Sequence, residues 1–91
     1  YDDAWLAWQD EIGRRHHRSG KNQTDGVTAA PHIPMRHVLA LVMPISITMR
    51  PFLAKKGASA SEVEAMHAAW TKSVLLQAIL WCRPYTKDGD F

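Results

Sequence analysis

The stretch Val38-Leu39-Ala40-Leu41-Val42-Met43-Pro44-Ile45-Ser46-Ile47-Thr48-Met49 carries no charged side chain and is bracketed by Arg36 and Arg50. A run of this kind belongs inside, and in a chain of 91 residues its placement decides the architecture. Its second half has two readings. Ile45 to Met49 alternates apolar and polar side chains, which is the period of a strand. A lone strand leaves its backbone N–H and C=O groups unpaired, however, and no second strand candidate is present to pair with it. Two helical pieces joined by a kink are therefore favoured. Pro34 suits the first helical turn, and Pro44 removes a donor and clashes with the turn before it, which sets the kink there. Pro51 is placed to open a last piece, Phe52 to Lys56, that Gly57 ends.

Working outward, residues 2–18 read as a helix. Tyr1, Trp5, Trp8 and Ile12 recur at intervals of three and four, so they share one face, expected to be the core face. Asp2 and Asp3 in the first turn and Arg14, Arg15 and Arg18 in the last turns suit the helix dipole, and Ser19-Gly20 is a stop signal. Residues 19–33 are rich in Gly, Asn, Thr and Pro without periodicity and read as a loop. The kinked helix covers about 34–56. A further helix covers about 60–82, with Ser61/Glu64 or Ser59/Glu62 at capping-box spacing and a stripe of Val63, Met66, Trp70, Val74 and Trp81. The tail, 84–91, reads as frayed. The fold class is all-α: a single domain of three to four helices, the central one kinked at Pro44.

Composition narrows the function classes. At 46% hydrophobic and 22% charged, the chain is that of an ordinary globular domain. Its net charge of +2 does not by itself imply an anionic partner. The single cysteine, Cys82, excludes an internal disulfide and the four-cysteine zinc patterns, and suits the cytoplasm. No apolar run reaches the ~18–20 uninterrupted residues of a membrane span, so no membrane partner is expected. The histidines lack ligand spacing: His16 and His17 point about 100° apart, and His32 and His37 are separated by Pro34. His67 reads as a partly buried structural histidine. Cys82 and His67 lie about 22 Å apart on one helix, beyond hydrogen-bond reach. No metal, cofactor, small-molecule substrate or catalytic residue is expected, and the chain is read as non-enzymatic.

Two pieces, Val38–Met43 and Val74–Cys82, are apolar nearly all round, and a bundle this small surrounds only one of them. The surplus points to protein–protein contact, most simply homodimerisation, with Met43, Met49, Trp70, Val74 and Trp81 as contact candidates. The alternative is nucleic-acid binding by the basic cluster of Arg14, Arg15, Arg18 and Lys21 together with Lys55 and Lys56. In support of it, Phe52 to Met66 resembles the helix-turn-helix of lac-repressor-type DNA-binding proteins. Gly57 stands at the turn position, with Val63 and then Met66 at core positions. The resemblance implies a DNA-binding regulatory domain, although the second helix would offer Glu62 and Glu64, not base-reading side chains.

Overall fold

The computed structural model describes residues 1–24, 26–87 and Asp90. Helix α1 spans Asp3–His16, α2 Met35–Ala40, α3 Val42–Ala54 and α4 Ala60–Trp81. The described residues form no strand, so Ile45 to Met49 is helical and the all-α class holds. The molecule measures 44 × 27 × 26 Å.

Helices α2 and α3 are two halves of one bent helix, and the bend falls at Leu41 instead of Pro44. A proline ring collides with the carbonyl four residues back, here that of Ala40, so the helix breaks upstream of the proline. Pro44 itself sits in the first turn of α3, where a missing N–H leaves no bond unmade. Pro51 opens no separate piece; it lies inside α3, which runs on to Ala54. The carbonyl it leaves without a donor belongs to Ile47, an exposed position where water takes the bond. The bent pair Met35–Ala54 does have the length and composition of a membrane-crossing helix, which corrects the expectation that no stretch would. In this fold it is bent and packs along α4.

Helix α4 begins with the Ser59/Glu62 capping box, one turn earlier than the Ser61/Glu64 alternative. The Glu62 amide donates to Ser59 Oγ at 3.2 Å and the Ser59 amide to Glu62 Oε1 at 3.3 Å. These bonds hold the Glu62 carboxyl below its ordinary range. The α3–α4 turn needs a left-handed residue, and Gly57 supplies it with φ of +74°. Across the hairpin the small Ser46 faces inward, while Met43 and Ile47 face out. His67 Nε2 donates to the Ser46 carbonyl at 2.7 Å, the structural role expected of it.

Helix α1 packs on α4 through a face that the sequence stripe misplaced. Tyr1 and Trp8 are exposed, whereas Gln9 and Gly13 are buried. Trp81 Nε1 donates to Gln9 Oε1 at 2.8 Å, which satisfies a buried amide. Gly13 lets the two backbones meet: a Cβ there would lie 2.6 Å from the Trp81 carbonyl oxygen. Apolar periodicity pointed to the tryptophans, but close approach selected the glycine.

The tail is not frayed where it is described. Tyr85 is buried and its hydroxyl donates to the Ile33 carbonyl at 2.7 Å. Asp90 is fully buried, and its carbonyl accepts from the Met35 amide at 3.0 Å. Asp88, Gly89 and Phe91 of the expected tail lie outside the described residues. The described residues after α4, 82–87 and Asp90, form a strap that returns to the end of α1 and the start of α2.

Candidate functional site

Two places in this scaffold gather chemistry. The first is an apolar cleft of about 180 Å³ lined by His16, Val38, Leu41, Val42, Ile45, Val74 and Trp81. The bend at Leu41 makes it: α2 turns Val38 inward, and α3 leaves at an angle that opens a gap against α1 and the second half of α4. His16 is the imidazole on its wall, and its Nδ1 lies 2.8 Å from the Ile12 carbonyl one turn back.

The second is a buried polar lock under the strap. His17 Nε2 lies 2.9 Å from Asp90 Oδ2, and Arg18 pairs with Asp90 Oδ1. Hydrogen bonding from His17, helped by Arg18, holds the Asp90 carboxyl below the usual carboxylate range. His17 Nδ1 accepts from the Ser19 amide at 3.1 Å and lies 2.8 Å from Ser19 Oγ. His17 packs edge to face on both His32 and Tyr85, and the His32 and Tyr85 rings are tilted against each other, with centroids 5.0 to 5.6 Å apart. Burial pushes the Tyr85 hydroxyl up to about 12, so it stays a donor. Residues from 17 to 90 meet here, and no spacing in the sequence announces that meeting. Of these residues the sequence singles out only Arg18, as a member of the basic cluster with Arg14, Arg15 and Lys21.

The expected interface residues fall in different environments. Met43 is exposed, and Met49 and Trp70 are half-buried. Val74 is buried, and together with Trp81 it lines the apolar cleft, so these two face the interior of this chain. The expected basic surface does not assemble either. Arg14 pairs with Asp10 at 2.8 Å, Arg15 with Glu11 at 3.2 Å, and Arg18 with Asp90. Lys21 donates to Asn22. Lys55 and Lys56 adjoin the start of α4, whereas α1 packs at its far end by Trp81, about 33 Å away along a 22-residue helix. The helix-turn-helix resemblance also gives way. Met66, assigned there to the core, is 39% exposed, and α3 and α4 form an ordinary hairpin of long helices. Among the described residues no group of three or more His, Cys, Asp or Glu side chains is placed to hold a metal ion.

The family model for protoglobin matches residues 1–91, the whole chain. The chain belongs to the protoglobin family. No curated protein matches it closely enough to count as a relative. Membership in the protoglobins overturns the function expected from the sequence, both the protein-contact module and its nucleic-acid alternative. It also gives the uncharged run a different meaning. The bent α2–α3 unit and the apolar half of α4 supply Val38, Leu41, Val42, Ile45, Val74 and Trp81 to the apolar cleft. Their apolar surplus was read above as a docking surface because cleft wall and docking surface have the same composition.

Proposed function

We infer that this chain forms part of a haem-binding, globin-type sensor domain. The observation that carries this reading is the protoglobin match over all 91 residues. It is supported by the apolar cleft at the α2–α3 bend, where aliphatic side chains and Trp81 surround a single imidazole.

The described residues do not enclose a haem by themselves. Pockets that bury a ligand of drug size run from about 300 to 1,000 Å³, and this cleft holds about 180 Å³. Haem bound by a globin also takes one axial histidine. His17 has both ring nitrogens engaged, and His67 is bonded to the Ser46 carbonyl. His16 is bonded at Nδ1 only, but the slot in front of it is too small for the macrocycle. We therefore assign the iron ligand to none of His16, His17 and His67. The chain's residues contribute a wall: Val38, Leu41, Val42, Ile45 and Val74 exclude water from one side of a pocket that needs further enclosure. The role is one of binding without catalysis, and cytoplasmic placement belongs to the same reading.

Expression of the full-length gene product with added haem precursor tests this. A Soret band that co-elutes with the protein in stoichiometric amount is the expected result. The 91-residue chain alone is expected to lose haem on gel filtration. A full-length product that carries no haem under haem-replete conditions would overturn the reading.

Self-association is a separate proposal. Met43 and Ile47 form one exposed row on α3, and Leu75 and Ile79 form another on α4, each side chain at least 54% exposed. A second copy is the partner proposed to cover them. Sedimentation equilibrium should report a dimer, with Ile47→Glu and Ile79→Glu shifting it to monomer. A wild-type monomer at high concentration would rule this out.

A further inference from the structure

A cleft of about 300 Å³ lies between the end of α1 and the residues after α4, and it shares no lining residue with the apolar cleft. Its walls carry Arg14 from α1 and Arg83 and Lys87 from the strap, with Asp10 between them and His17 and Ser19 at the floor. Asp10 accepts from Arg14 at 2.8 Å and lies 3.7 Å from Arg83. One carboxylate thus faces three cations. Asp90 cannot balance the remainder, since it is buried and already committed to His17 and Arg18. Two positive charges on a concave surface are left without a counter-charge among the described residues, and such a cleft focuses potential on an anion.

His17 Nε2 faces the Asp90 carboxylate and so carries the ring proton, which leaves Nδ1 as an acceptor. The Ser19 hydroxyl, 2.8 Å from Nδ1, and the Ser19 amide, at 3.1 Å, both donate to it, so His17 and Ser19 hold each other in place beside the cleft. Arginine and lysine side chains lining one cleft suit a phosphate group, which takes charge-assisted hydrogen bonds from each. The residual charge of about two matches a phosphate monoester dianion. The volume, at the low end of small-molecule pockets, leaves room for a short organic group as well.

We propose that the cleft bounded by Arg14, Arg83, Lys87 and Ser19 binds a small phosphate-bearing ligand and so joins the strap to α1. This site is independent of the haem reading, and either can fail alone.

Calorimetric titration of the chain with inorganic phosphate and with glycerol 3-phosphate, chloride holding the ionic strength constant, tests it. Saturable binding at one site is expected. Arg83→Ala combined with Lys87→Ala should weaken it at least about tenfold, because hydrogen bonds to charged groups are lost. Both positions are on the surface segment after α4, and an unchanged helical circular dichroism spectrum confirms that the variant is folded. Tighter binding of glycerol 3-phosphate than of phosphate assigns the organic group a share of the site. Equal binding assigns the site to the phosphate group alone. A flat titration, a double variant that binds like the parent, or equal binding of sulfate would each overturn the proposal.

Discussion

Gly13→Ala is expected to destabilise the fold by about 2 kcal/mol, even though alanine is the better helix former. The added Cβ would meet the Trp81 carbonyl oxygen at 2.6 Å and its Cα at 3.0 Å. These are backbone atoms of α4, so no rotamer change relieves the contact and the helices must separate. Overpacking of this kind costs about 1–3 kcal/mol. The ~1 kcal/mol gained in helix propensity offsets part of that. Moving α1 also strains the Trp81–Gln9 hydrogen bond, which leaves a buried amide without its donor. Gly13→Val should be more severe and prevent docking of α1. Gly26→Ala is the natural comparison: φ there is +62° and nothing lies within 4 Å, so only the left-handed strain of about 1–2 kcal/mol applies. Urea denaturation reads both effects as a lower midpoint at unchanged slope. A Gly13→Ala variant as stable as its parent would mean that α1 does not pack at Trp81.

The second large effect is expected at Asp90. Asp90→Asn keeps the shape and removes the charge, so Arg18 loses its counter-ion and His17 loses a charged hydrogen-bond partner at a fully buried position. The strap should then open more often, and amide exchange at Met35, which donates to the Asp90 carbonyl, should speed up roughly tenfold or more. The pH dependence has a definite sign. The folded-state pKa of Asp90 is depressed. Its contribution is therefore fully present above the ordinary aspartate range and is lost as pH falls through the depressed value. In the parent, protection of Met35 should decline on acidification. In Asp90→Asn it should be low at all pH values and insensitive to that window. Equal protection in parent and variant would show that the strap is held by other contacts.

The helical class was legible because prolines, glycines and capping residues act locally. Ser59 with Glu62, Gly57 and Pro34 each do what their chemistry dictates within one turn. Pro44 was legible in kind but not in place, since its steric effect falls on the carbonyl four residues earlier and the break appears at Leu41. The site was much less legible. Gln9, Gly13, Tyr85 and Asp90 matter through partners some 50 to 73 residues away. A polar or small residue in a helix gives no periodic signal when its burial depends on a distant donor. The apolar surplus of α3 and α4 was visible, but composition does not separate a pocket wall from a docking face.

The strap also has a polymer-physics consequence. The His17–Asp90 bond spans 73 residues and would be entropically costly to close in an unfolded chain. Once Trp81 has met Gln9, only the short arms from Gln9 to His17 and from Trp81 to Asp90 remain to be joined. Closure cost grows with the logarithm of loop length, so the nested second closure is much the cheaper of the two. The strap can therefore open and reclose as a unit of its own while the helices stay docked. The contacts of Tyr85 and Asp90 act as a reversible clasp on a standing frame.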